Sequence, residues 1–376
     1  MALGYQHAGA SSTQEWVDFV LDSSNRPRIV AYDNLNAYAR LAALSASATW
    51  NCWQLSDAPL MGGDLSYVGL DGVAVVDAGG TPYTALVVQK RLTLNACGVS
   101  FVDRLQLWLQ KGTAVTASSQ VCIDSTGDLF GCVQASQQGR HVAMTRASDG
   151  RVHVAYLDGS AALRYAVSNT TVTSFASETV AAGQATLGGG DISIAVDGQG
   201  APHIAFVQSS QHAYARRIGN TWQVVVLSVP AYPSGYSGRR LTNISLKLDA
   251  SGLGTMAFTV GDTLWSIRET SAMVFATAEV ADGGIGMEGY PSLARATNGA
   301  LHLSYFRTAP GVENLCYVQR GSGAWGTPAI VSSHTGGAGG FVHKRHVIAL
   351  TSGPTPLPRI AYPTTGSGGG TSIWLA

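Results

Sequence analysis

The chain has 376 residues, a formal net charge of zero and only 12% charged residues. That balance argues against nucleic acid as a partner, because phosphate contacts need a basic face. No run of about 18 apolar residues is present, so no transmembrane helix and no membrane partner are expected.

Met1–Ala10 lacks the basic-then-apolar pattern of a signal peptide. The chain is therefore expected to be cytoplasmic or to follow a removed leader, and its compartment is left open. The same ten residues precede every repeat and are expected to complete the last repeat as a closing strand.

Beyond them, a strand–turn–strand unit recurs seven times. It runs from Leu21-Asp22 to Pro27-Arg28-Ile29, from Val76-Asp77 to Pro82-Tyr83, and from Ala147 to His153-Val154-Ala155-Tyr156. It returns from Asp197 to Pro202-His203, from Asp249 to Thr255-Met256-Ala257-Phe258, from Thr297 to His302-Leu303, and from Ser352 to Arg359-Ile360-Ala361-Tyr362. One slot after the turn holds, in order, Arg28, Tyr83, His153, His203, Thr255, His302 and Arg359. The steps between these residues are 55, 70, 50, 52, 47 and 57. The long step marks an insertion within roughly 91–139.

Two further strand-like runs follow each hairpin, for instance Leu163-Arg164-Tyr165-Ala166 and the segment beginning at Thr221-Trp222. Four strands at this period predict an all-β, seven-bladed β-propeller of four-stranded antiparallel blades. It is read as a single domain over 1–376, its ring closed by the N-terminal strand. Giving 124–127 a blade of their own would make eight, but too few residues remain there for four strands.

The hairpin pattern Asp-x-x-Gly-x-Pro-His-Ile-Ala, as at Asp197–Ala205, resembles the repeats of bacterial sialidase-like (BNR-type) propellers. The resemblance extends over most of the chain but is generic in each unit. The Ser-x-Asp-x-Gly-x-x-Trp box of true sialidases is not matched, nor is an arginine triad with a nucleophilic Tyr and a partner Glu. The resemblance therefore implies the fold and not sialidase activity.

Six residues before the turn lies the opening position of each first strand. It holds Trp16, Asp71, His141, Asp191, Asn243 and Tyr290, and in the last unit His346. Glu15, Arg140 and Arg345 precede three of these, and Arg239-Arg240 are close by. In a chain this poor in charge, such groups at one structural level predict a site at the channel mouth. His141, His346 and Tyr290 are the expected proton-transfer set. Arg140, Arg345, Arg240, Asp71, Asp191, Asn243, Trp16 and Glu15 are the expected substrate contacts.

His153, His203 and His302 occupy equivalent slots on the opposite, turn side. That slot also takes Arg, Tyr and Thr, so it reads as a packing position, and no metal or organic cofactor is expected. Five Cys leave at least one unpaired, with Cys122 and Cys132 a plausible pair across a hairpin. Two function classes stay open. One is a cofactor-independent lyase- or cyclase-like enzyme acting on a glycan or small polar molecule. The other is a non-catalytic, lectin-like carbohydrate-binding protein.

Overall fold

The structure is a computed structural model. It describes residues 2–3, 17–33, 38–55, 64–94, 100–113, 119–124, 142–158, 162–182, 192–208, 211–229, 244–286, 289–309, 311–321, 323–335, 346–365 and 371–376. The chain divides into two compact units, Ser12–Gly183, and Met1–Ser11 with Gln184–Ala376.

The first strand, β1 (Ala2–Leu3), belongs to the second of these units. Three sheets make up Ser12–Gly183. The first contains β2 (Val17–Leu21), β3 (Pro27–Asp33), β4 (Tyr38–Leu44) and β5 (Trp50–Gln54). The second contains β6 (Asp64–Val76), β7 (Pro82–Leu94), β8 (Ser100–Lys111) and β9 (Gln120–Asp124). The third contains β10 (Val142–Arg146), β11 (Val152–Leu157), β12 (Leu163–Ser168) and β13 (Phe175–Ala181).

Four sheets make up the other unit. The fourth contains β14 (Ser193–Val196), β15 (Pro202–Gln208), β16 (Gln211–Ile218) and β17 (Thr221–Val226). The fifth contains β18 (Ile244–Leu248), β19 (Gly254–Val260), β20 (Thr263–Ser271), β21 (Val274–Phe275) and β22 (Glu279–Asp282). The sixth contains β23 (Ser292–Arg295), β24 (Leu301–Ala309), β25 (Val312–Arg320) and β26 (Ala329–Thr335). In the seventh, β27 (Val347–Leu350), β28 (Pro358–Thr365) and β29 (Thr371–Leu375) are joined by β1, with Ala2 opposite Trp374 and Leu3 opposite Ile373.

Each sheet is an antiparallel meander because the first turn is written locally. Asp197 shows the chemistry. Its amide donates to the Ala201 carbonyl, and the Gly200 amide donates back to Asp197. The carboxylate accepts the amides of Gln199 and Ala201, both at 2.9 Å. Gly200 is left-handed at φ 82°, the region where a Cβ is costly. Asp249 repeats this arrangement, and so does Asp22, where Asn25 takes the left-handed place. The second strands are the most buried elements. Every residue of β11 and β19 is buried, whereas the outer strand β17 is largely exposed. The core therefore lies between the faces of successive sheets. Val73, Tyr83 and Leu107 of the second sheet pack with Val142, Val154 and Tyr156 of the third.

Side chains also tie innermost strands together. Ser193 Oγ accepts the amide of Leu246, Ser245 Oγ that of Leu293, and Ser292 Oγ that of Ile348, at 3.0, 3.0 and 3.1 Å. Asp18 Oδ2 does the same for Ala74 at 2.6 Å.

One expectation needs correction here. Uniform four-stranded blades are not observed, because both β21 and β22 pair with β20 in a five-stranded sheet. The extra residues near 91 belong to the second sheet. They lengthen β7 and β8, which stay paired out to Leu94 and Ser100.

Candidate functional site

Of the predicted site residues, Glu15, Trp16, Arg140, His141, Asp191, Arg240, Asn243 and Arg345 lie outside the described residues. Asp71 falls within β6, where the pairing with β7 is interrupted between Val68 and Gly72, and so not at a strand opening. Tyr290 and His346 are brought together, but inside the protein. Tyr290 is buried at a backbone φ of 43° and packs with Phe306, Ile348 and Tyr362. His346 is also buried, with its ring edge-on to Phe306 at 4.8 Å between centroids. Both groups pack around one phenyl ring at the joint of the sixth and seventh sheets.

The turn-side histidines share a different geometry. In each case Nδ1 meets the hydroxyl of a third-strand Tyr in its own sheet. His153 pairs with Tyr165 at 2.6 Å, His203 with Tyr214, and His302 with Tyr317 at 2.7 Å. All three imidazoles are buried. Burial lowers their basicity, taking His153 down to about 4.

His203 is the most engaged of the three. Its Nε2 faces Asp197 Oδ2 at 3.3 Å, and Tyr214 also donates to Glu269 Oε2, at 3.1 Å, on the next sheet. Glu269 accepts the amides of Gly254 and Met273 as well. Arg216 stands 3.5 Å from both Asp197 and Glu269. For Asp197, burial works to raise the pKa. The donors around it, the Ala201 amide first and then His203, outweigh that and hold it low.

A second arrangement recurs where consecutive sheets meet. Asp282, the last residue of β22, accepts the hydroxyl of Tyr305 and the guanidinium of Arg307, both on the next sheet. The Arg307 side chain is 32% exposed and that of Asp282 12%. Asp124, the last residue of β9, accepts the hydroxyl of Tyr156 at 2.7 Å, and Arg164 lies beside that hydroxyl across the β11–β12 pair. Tyr156 and Tyr305 stand at the same place in their hairpins, three residues beyond the His slot. Burial and then the carboxylate raise the pKa of both phenols.

Sequence reasoning missed these junctions, although a Tyr three residues past the slot was a usable signal. Two other junctions carry apolar pairs instead. Leu55 packs near Leu86, and Leu227 near Phe258.

Among the described residues, no group of three or more His, Cys, Asp or Glu is placed to hold a metal. Cys52 and Cys316 are free thiols, and burial pushes Cys316 up to about 11. Cys132, the expected partner of Cys122, lies outside the described residues. No described helix is long and apolar enough to cross a membrane.

No protein-family model matches the chain, and no curated protein matches it in sequence. Solved structures do match in fold. The BP39L lectin from Burkholderia pseudomallei aligns with a TM-score of 0.64 at 13% identity, covering 97% of this chain and 96% of the lectin. An ulvan lyase of polysaccharide lyase family PL25, bound to a glucuronate–rhamnose-sulfate glycan, aligns with a TM-score of 0.53 at 10% identity, covering 98% of this chain and 91% of that one. The Aleuria aurantia fungal lectin, described as a six-bladed β-propeller with a novel fucose recognition mode, aligns with a TM-score of 0.45 at 15% identity, covering 85% and 95%.

These likenesses establish an all-β propeller fold and do not reproduce the sialidase-type resemblance. Among the described strands, six sheets are four-stranded and one, the fifth, has five strands. The seven-bladed ring expected from the sequence is thus corrected to the coarser statement, a β-propeller, and is not carried further.

Proposed function

We propose that this protein binds glycans without turning them over. The observation that carries the reading is the repeated Asp–Tyr–Arg grouping at two sheet junctions, Asp282–Tyr305–Arg307 and Asp124–Tyr156–Arg164. The carboxylate accepts and the guanidinium donates towards neighbouring sugar hydroxyls, while the buried Tyr156 and Tyr305 hold the carboxylates in place. Repetition of one grouping suits several similar sites on one chain. The lectin and glycan-lyase names of proteins with this fold support the ligand class. Arg140, Arg240, Arg345, Asp71, Asp191, Asn243, Trp16 and Glu15 are proposed as further ligand contacts.

The alternative, acid–base chemistry by His141, Tyr290 and His346, loses support from the burial of Tyr290 and His346 around Phe306. A general base has to reach the proton it removes.

The test is a glycan array followed by calorimetry on the best ligand. The expected result is more than one ligand per chain, with about tenfold weaker binding at the altered junction in Asp282→Asn. Unchanged binding in both Asp282→Asn and Asp124→Asn would overturn the assignment of the junctions. New reducing ends or unsaturated uronates on incubation with a polysaccharide would establish a lyase instead.

A further inference from the structure

The fourth and fifth sheets meet at a joint that contains one residue out of keeping with its surroundings. His212, the second residue of β16, lies opposite Val207. The matching third-strand position is Ala39 in the first sheet, Leu107 in the second, Leu163 in the third, Leu264 in the fifth and Leu315 in the sixth, each of them buried. His212 is likewise fully buried. Its ring lies 4.4 Å from that of Phe258 on the facing sheet, and neither ring nitrogen has a hydrogen-bond partner among the described residues. A buried polar group without a partner costs about 1–3 kcal/mol relative to a satisfied one, and leucine fills the slot in the second, third, fifth and sixth sheets.

The other paired charged and titratable groups of this joint lie at the turn side. They are Asp197, His203, Tyr214 and Arg216 from the fourth sheet and Glu269 from the fifth. The Tyr214–Glu269 bond ties the two sheets there, beside the Arg216–Glu269 ion pair and the Ser193–Leu246 bond. Acid acts on this joint at His212. A proton there charges an imidazole that has no acceptor among the described residues to receive the charge. The next joint differs, because Tyr305 and Arg307 both meet Asp282 and the slot residue is Leu264.

We propose that the joint between the fourth and fifth sheets is acid-operated, a proton on His212 parting the two sheets there before the joint between the fifth and sixth sheets yields. This inference is independent of the glycan-binding reading. The buried ring titrates near 3, held down by loss of solvent alone. In an opened joint it regains the ordinary value of about 6.5. Between pH 7.5 and pH 5.0 that difference favours opening by about thirtyfold.

The experiment is hydrogen exchange read by mass spectrometry at both pH values, corrected for intrinsic exchange, on the wild type, His212→Leu and His212→Met. Peptides covering β16 and β18–β19 in the wild type are expected to open about thirtyfold more at pH 5.0. Either apolar variant is expected to remove most of that increase. Both variants are used because one of them can fail to fold. The proposal is overturned if the wild type opens equally at both pH values. It is also overturned if β24–β25 open first, or if a folded variant keeps the full increase.

Discussion

At Asp197 the carboxylate serves two kinds of partner at once, and this sets its weight against its counterparts in other hairpins. Its Oδ1 closes the turn through the Gln199 and Ala201 amides, as Asp249 does in the next sheet. Its Oδ2 faces His203 and Arg216, a pairing that Asp249 does not repeat among the described residues. Replacing Asp249 by Ala is therefore expected to cost about 1–2 kcal/mol, the loss of a turn cap. Asp197→Ala is expected to cost more, because His203 is left buried with one acceptor fewer. Urea unfolding of the two variants gives the comparison, and equal costs would show that the His203 side contributes nothing. The same residue shows what sequence can and cannot reveal. The turn chemistry of Asp197 was plain from Asp-Gly-Gln-Gly, because every partner lies within four residues. Tyr214 and Glu269, 17 and 72 positions later by number, were not legible, since only the fold brings them near.

Among the elements, the innermost strands depend on side chains to hold neighbouring sheets together. β18 and β23 share no backbone ladder among the described pairings, and the Ser245 hydroxyl supplies the link to the Leu293 amide. Ser245→Ala removes the acceptor and leaves a part-buried N–H behind, at an expected cost of about 1–3 kcal/mol. Asp18→Ala should cost at least as much, since the lost acceptor is a buried carboxylate meeting Ala74 at 2.6 Å. Thermal unfolding midpoints test both, and a change below about 0.5 kcal/mol at Ser245 would mean that water replaces the bond. These ties were invisible in the sequence. A Ser four residues before a turn is unremarkable until the next sheet is laid beside it. The strands themselves were legible, because apolar alternation and turn residues are local signals. The misplacement of Asp71 has a physical cause as well. Counting six residues back from the turn assumes a regular strand, and β6 is irregular between Val68 and Gly72.

For the whole molecule, the buried histidines set one direction of pH response. His153, His203, His212 and His302 are all held below the ordinary imidazole value, and burial is the first cause in each case. A base whose pKa is depressed in the folded state binds fewer protons folded than unfolded. Stability is therefore fully present above about pH 6.5 and is lost as pH falls towards the folded values, about 4 for His153 and about 3 for His212. Each such group contributes at most about 1.4 kcal/mol per pH unit inside its window. The carboxylates add to the loss further down. Asp22 and Asp197 are held low despite their burial, mainly by turn amides, and they give up that stabilisation as they protonate. The expected outcome is a urea midpoint that is flat from pH 8 to pH 7 and then declines steadily to pH 4.5. The decline should be shallower in His153→Leu, because one of the contributing groups is gone. A midpoint that rises on acidification would contradict the burial of these rings. A decline confined to the range below pH 4 would assign the response to the carboxylates alone, leaving the imidazoles no share in it.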